Sequence, residues 1–236
     1  MTEPLFMIQM HLNLVELLRP LEGKTAPRHP LDVGYLVHAG ITRLFGDLVP
    51  KPFAVVEERG SRLTVLAYSP RTVEELRHGA LLKESRLLDW ASFASKPLGA
   101  TGKGLRVKYE VRFCPTKRLT RRSETGLIPS REEDFYCTEC DRSPAETPNR
   151  EVAYLRWLTR ELEGAKVLTG RMTRYCQTRA TRLTASRKAG VFNMPDCTFQ
   201  GELEVIDPEL FRTKLARGLG RHRSFGFGML LLKPAH

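Results

Sequence analysis

Two βαββαβ patterns in series predict an α+β fold, and three observations carry that prediction. Short stretches of the 236-residue chain alternate apolar and polar residues, as half-buried strands do. Two stretches, 32–45 and 150–162, instead carry apolar residues at helical spacing. The order strand, helix, strand, strand, helix, strand then runs through once clearly and once less cleanly, which makes two tandem ferredoxin-like (RRM-like) units.

The first unit is expected over residues 1–97. Residues 5–14 read as a strand. Asp32 is a plausible cap for a helix through Phe45, with Val33, Leu36, Val37, Ile41 and Leu44 on its apolar face and Gly46 as its stop. Residues 53–57 and 63–68 form a hairpin about Arg59-Gly60-Ser61. Ser69-Pro70 ends it, 72–78 is a short helix, and 81–88 is a weaker closing strand. A linker is expected at 95–104, where Lys96-Pro97-Leu98-Gly99 and Thr101-Gly102-Lys103-Gly104 lie.

The second unit is expected over residues 98–236. It opens on the strong strand 105–113. Residues 119–149 are polar and basic and read as an insertion. The helix 150–162 carries Val152, Leu155, Trp157 and Leu158 and stops at Gly164. Two short strands follow at 165–168 and 172–177, then a strand at 199–206. Asp207-Pro208 begins a helix to Arg217, because proline suits the first helical position. Residues 229–233 are the last strand.

Composition narrows function. The formal charge of +11 favours a polyanionic partner, nucleic acid ahead of an anionic membrane, since no basic amphipathic helix is evident. There is no long apolar run and no basic leader at the N-terminus, so neither a membrane span nor a signal peptide is expected. Five irregularly placed cysteines fit a reducing, cytoplasmic setting.

The most informative segment is the basic, glycine-rich loop 218–228 and the arginine before it. Gly218, Gly220, Gly226 and Gly228 let a backbone approach a ligand closely, and Arg217, Arg221, His222 and Arg223 supply cationic donors. Its order, helix then glycines then strand, excludes a dinucleotide fingerprint, and no Gly-Lys-Ser/Thr ends it. Two further segments are cationic. Residues 103–122 hold eight Lys/Arg against one acid, including Arg106, Lys108, Arg112, Lys117 and Arg118. Residues 171–188 hold six Lys/Arg and no acid, with Arg171, Arg174, Arg179 and Arg182 interleaved with threonine, tyrosine and glutamine. Such a face can simply keep a strand edge soluble. Two of them beside a glycine loop suit a nucleic-acid groove better, and without helix-turn-helix or finger patterns ordinary major-groove reading of DNA is not supported.

Chemistry rests on fewer residues. His38 lies three positions after Tyr35 on the first long helix, so both share one face. Histidine suits general acid–base work, although a His and a Tyr on a helix are more often just surface. His11, His78 and His222 are rivals. Cys137-Thr138-Glu139-Cys140 has the spacing of half a zinc site but no second half, so no metal and no cofactor are expected. Without a two-metal carboxylate cluster, RNA cleavage would use the 2′-OH as nucleophile.

These residues resemble a family. Gly218-Leu219-Gly220-Arg221-His222-Arg223-Ser224-Phe225-Gly226-Phe227-Gly228, Tyr35-Leu36-Val37-His38, Tyr109 to Arg118, Ala153 to Leu158 and Phe199 to Leu203 occur in the order seen in the RAMP-superfamily endoribonucleases that cut CRISPR precursor RNA. The Tyr-x-x-His helix is most similar to the CasE-like branch of type I-E systems. The resemblance implies tandem ferredoxin-like domains and cleavage of repeat RNA at the 3′ base of a stem. It implies His38 as general base or acid, with Tyr35 positioning it. It further implies retention of the mature crRNA and assembly with other Cas subunits. A long segment before the helix and the arginine-bearing insertion also suit the divergent type IV branch, where arginines would stabilise the cut; Arg19, Arg28, Arg43, Arg221 and Arg223 are then the alternative contributors. A RAMP subunit that holds or caps crRNA without cutting it is the other reading.

Overall fold

The structure is a computed structural model that describes residues 4–19, 32–81, 86–99, 101–119, 122–123, 126–127, 131–142, 149–183 and 189–235. Arg28 lies outside them.

The first sheet is built from a strand β1 (Phe6–Asn13) that buries Ile8, Met10 and Leu12 on one face. A short helix α1 (Leu14–Leu18) follows. Helix α2 (Val33–Phe45) begins where the Asp32 carboxylate accepts the Tyr35 N–H and ends at Gly46, whose φ of 57° the missing side chain permits. Strands β2 (Phe53–Arg59) and β3 (Arg62–Ser69) form the hairpin. Helix α3 (Val73–His78) opens on a reciprocal capping box of Thr72 and Glu75. The sheet closes with β4 (Ala94–Pro97) in the order β2-β3-β1-β4, antiparallel throughout.

The closing strand corrects the sequence expectation. It lies at 94–97, overlapping the expected linker; of the strand expected at 81–88, residues 82–85 lie outside the described residues and 86–88 form no strand. Leu87 and Leu88 are apolar because they plug the core, and Leu88 makes an isolated bridge to Leu12. Ala94-Ser95-Lys96-Pro97 is a short edge strand without apolar alternation, and its proline is tolerated there.

The second unit repeats the topology. Strand β5 (Arg106–Phe113) buries Val107, Tyr109, Val111 and Phe113. The insertion follows at once, as β6 (Thr116–Leu119), β7 (Arg122–Ser123), β8 (Gly126–Leu127), β9 (Arg131–Asp134) and a helix α4 (Phe135–Arg142). It starts earlier than the expected 119 and contains a helix that the polar sequence hid. Arg150 and the Tyr154 hydroxyl both donate to Asp134, at 3.0 and 2.9 Å, and tie the insertion to α5 (Arg150–Glu161). Then come β10 (Ala165–Leu183), β11 (Ala189–Val205), α6 (Pro208–Arg217) and β12 (Leu230–Pro234). The order β10-β11-β5-β12 matches the first sheet position for position, so the fold is two tandem ferredoxin-like units.

Here too the strands differ from expectation. The short strands at 165–168 and 172–177 are one strand of 19 residues with register shifts between Val167 and Thr169 and between Met172 and Arg174. The strand expected at 199–206 begins at Ala189. β5 pairs with β11 from Cys197 to Glu204, so the outer half of the β10–β11 hairpin projects past the sheet. It lies beyond the rows that pair with β5, so apolar alternation along it is not dictated by a buried sheet face.

The contacts between the units include a hydrogen bond and a close backbone approach. The Tyr68 hydroxyl donates to the Leu230 carbonyl at 2.9 Å, and burial pushes its acidity well down. The start of α2 lies so close to the glycine-rich loop that a Cβ on Gly34 would collide with the Phe225 carbonyl. Alanine favours helices, yet Gly34→Ala is expected to destabilise the protein by about 1–3 kcal/mol, because the loop must move. A melting temperature equal to or above that of the parent would show that α2 does not rest on the loop.

Candidate nucleic-acid interface

Helix α6 delivers the chain into the glycine-rich loop. The Leu219 N–H donates to Gly228 O at 2.8 Å, and the Gly228 N–H to Arg112 O at 2.7 Å, so the loop closes on itself and hangs from β5. Gly218, Gly220, Gly226 and Gly228 all have positive φ. A Cβ on Gly220 would lie 2.6 Å from the Trp157 ring, and one on Gly218 would lie 2.9 Å from Pro52. These glycines are required by close packing of the loop against the protein itself. Gly218, Gly226 and Gly228 are buried, so the loop presents its side chains rather than a bare backbone.

His38 opens into a cleft of about 360 Å³ between the two units. Lys51, Phe53, Arg217, Arg223 and Ser224 share its walls. The imidazole lies parallel to the Phe53 ring, with centroids 6.5 Å apart. Arg223 donates to the Arg217 carbonyl and so is held across the loop. Histidine beside three cations, in a cleft a phosphodiester could enter, has the makings of a proton-transfer site. Lys51 and Ser224 were missed from sequence. An exposed lysine before a strand carries no local mark, and the cleft exists only once α6 and the loop pack against β2.

Tyr35 lies away from the cleft, on the side of α2 that faces the loop. Its ring stacks on Phe225 at 5.5 Å, in a small apolar group with Cys114, Met194 and Phe227, and it does not line the His38 cleft. It pins the helix that carries His38. Arg43 lies about 140° round α2 from His38 and is exposed. Arg19 pairs with Glu16 at 2.9 Å on α1. His11 bonds Ser92 at 2.7 Å, and His78 is exposed at the end of α3. None of these lines the cleft.

On the other side of the loop is a cavity of about 800 Å³, bounded by Glu132 of the insertion, Gln177 and Asn193 of the long hairpin, and Arg221, His222 and Arg223. One carboxylate organises it. Arg221 donates to Glu132 Oε1 through Nε at 2.8 Å and the terminal nitrogen at 2.6 Å, and the His222 imidazole meets Oε2 at 2.5 Å. Burial works to raise the Glu132 pKa, but His222 and Arg221 outweigh it and hold it below the usual value. The carboxylate therefore sits where a phosphate would be bound by the same fork. Glu132→Gln is expected to raise RNA affinity a few-fold at low salt. A fall in affinity would mean that Glu132 chiefly shapes the loop.

The basic strand faces are more mixed than the sequence suggested. Arg112 makes a two-pronged pair with the buried Asp196, at 2.9 and 2.8 Å, and lies 4.3 Å over the Phe227 ring. Arg174 also reaches Asp196, at 3.2 Å. Arg106 pairs with Glu204 at 3.0 Å. Lys108 and Arg171 border a cleft of about 450 Å³ that also holds Glu110 and Glu202. Acids on β11 offset cations on β5, which no single-strand reading reveals. Lys117 and Arg118 lie on β6 in register with Glu133 and Glu132. Arg179 and Arg182 lie on the outer hairpin, in register with Asn193 and Gly190. Cys137 and Cys140 share α4, and among the described residues no three His, Cys, Asp or Glu are grouped to hold a metal ion. Nor is any described helix long and apolar enough to cross a membrane.

Tandem ferredoxin-like units with a basic loop folded back over a histidine-bearing helix define a two-unit protein with a cationic interdomain cleft. The family model described as "CRISPR associated protein" matches residues 5–234, and the chain belongs to that family. It is 32% identical over 152 residues to the CRISPR-associated endoribonuclease Cse3 of Thermus thermophilus. That match covers 60% of this chain and 63% of the relative, under two thirds of its length. Among solved structures, Thermus thermophilus Cse3 bound to an RNA representing a pre-cleavage complex superposes with TM-score 0.62 at 19% identity, covering 98% of this chain and all of that one. A chain of a CRISPR RNA-guided surveillance complex superposes with TM-score 0.58 at 21% identity, again covering 98% of this chain and all of the other.

Proposed function

We propose that the chain is a metal-independent endoribonuclease that cuts CRISPR repeat RNA at the 3′ base of its stem-loop and keeps the mature crRNA. The observation that carries this reading is His38 facing a cleft walled by Lys51, Arg217 and Arg223. His38 takes the proton of the 2′-OH, or gives one to the departing 5′-oxygen. The O2′–P bond forms, the P–O5′ bond breaks, and the products are a 2′,3′-cyclic (or 3′) phosphate and a 5′-OH. Lys51, Arg217 and Arg223 neutralise the phosphorane charge. Tyr35 positions the helix through Phe225. The long hairpin with Arg171, Arg174, Arg179 and Arg182 carries the stem, and the units divide near residue 97, so the site lies at their junction. Other Cas subunits of a crRNA-guided complex are the protein partners, in the cytoplasm. The family match and the Cse3 relative support this reading.

The test is incubation with the repeat RNA of its own locus in EDTA, using RNAs with a single 2′-deoxy sugar moved along the chain. One cut, abolished at one deoxy position, is the expected result. Tight binding with no cut would make the protein a subunit that only holds crRNA.

A further inference from the structure

Three clefts adjoin one another, one within the second unit beside the hairpin and two at the junction of the units. The cavity beside the hairpin shares Arg223 and Ser224 with the His38 cleft. The His38 cleft in turn shares Lys51, Ala216 and Arg217 with a third, of about 470 Å³. This third cleft runs between α6 and the β3–α3 turn, away from the basic hairpin. Arg212, Thr213, Ala216 and Arg217 form one face of α6, while Phe211 and Leu215 turn inward to the core. Arg71 and Lys51 stand opposite. Among the described residues four cations and one acid, Asp47, therefore line a groove that also carries Leu5, Leu48 and Val49.

We propose that this third cleft binds the single-stranded RNA that follows the scissile phosphate, the 3′ flank that cleavage releases. This rests on the ribonuclease reading above. The direction comes from the order of the clefts: stem on the hairpin, scissile phosphate at His38, and the continuing strand over α6. The ligand chemistry is a flexible phosphate backbone, because the walls offer arginine and lysine and no aromatic ring on which a base could stack. Cleavage then cuts the one link between the flank and the stem. The flank leaves, and the stem keeps its own contacts.

The experiment compares two RNAs made uncleavable by a 2′-deoxy sugar at the cut nucleotide: the repeat with about ten nucleotides of 3′ flank, and the same RNA ending at the cut. Arg71→Ala with Arg212→Ala is compared with the parent protein by equilibrium binding over a salt series. The flanked RNA is expected to bind the parent about tenfold more tightly at low salt, with a slope in log K against log salt steeper by about 0.7 per phosphate held. The double variant should lose that advantage and its extra slope, and bind the trimmed RNA as the parent does. Equal affinity of the parent for both RNAs, or equal weakening of both by the double variant, overturns the inference and leaves the ribonuclease reading standing. If the parent binds neither RNA, that reading fails first.

Discussion

His38→Ala is expected to lower the rate of repeat cleavage by about 10²–10⁴-fold, the usual worth of a positioned proton-transfer group. The affinity for uncleavable repeat RNA should stay within about twofold, since Lys51, Arg217 and Arg223 keep the charge of the cleft. Single-turnover rates across pH separate the roles. A histidine that exchanges protons makes the parent's rate depend on pH, and the variant's profile should lose that dependence. If the variant cuts at the parent's rate, the arginines of the loop carry the reaction, as in the alternative that the sequence left open. If it neither binds nor cuts, His38 holds the cleft together against Phe53, 6.5 Å away, and the catalytic assignment is wrong.

The largest stability effect is expected at Asp196. Its carboxylate is buried completely and accepts from Arg112, Arg174 and Thr178, at 2.8–3.2 Å. Burial works to raise its pKa, but the Arg112 guanidinium and the Thr178 hydroxyl outweigh it and hold it below the usual value. Asp196→Ala leaves the Arg112 charge half-buried against Phe227 with its hydrogen-bonded carboxylate gone and the more distant Asp32 as its remaining acidic neighbour. Breaking such a pair costs about 3 kcal/mol, at the low end of the buried range because Arg112 and Arg174 both touch solvent. For a chain of this size the melting temperature should fall by roughly 6–12 °C. The joint change Arg112→Met with Asp196→Leu should recover most of the loss, because no lone charge is left behind. The pH dependence has a fixed sign. A carboxyl whose folded pKa lies below its unfolded value stabilises above the unfolded value and ceases to as pH falls through the folded one. The parent should therefore lose stability below about pH 4, and the double variant should lose less over the same range. Equal acid sensitivity of the two proteins would show that Asp196 is not the group responsible.

The two effects are linked through the loop. Arg112 carries Phe227 on its guanidinium face and accepts the Gly228 N–H at its carbonyl. A change at Asp196 should therefore also lower cleavage, by disturbing the loop that walls the His38 cleft.

Much of this protein is legible in its sequence. Local signals placed α2, α5 and α6 and the strands β1, β2, β3, β5 and β12, because caps, glycine stops and apolar periods act within a few residues. The glycine-rich loop and the Tyr35–His38 helix were visible in the same way, as was the excess of positive charge. What stayed hidden depended on distant partners. β4 carries no apolar period and is a strand only because β1 offers it an edge. Asp196 follows a proline and precedes the strand expected at 199–206, yet three residues of β5 and β10 converge on it. The charge of Arg112 counts as a free cation in a tally and as half of a buried pair in the fold. Lys51 acquires a role only when α6 folds against the other unit. The sequence by itself determined the class of fold, the repeated topology and the basic loop, since each rests on short-range chemistry. Which cations face the cleft and which are held by carboxylates was decided by the tertiary structure, because charge pairing depends on distances of a few ångströms between residues far apart in the chain.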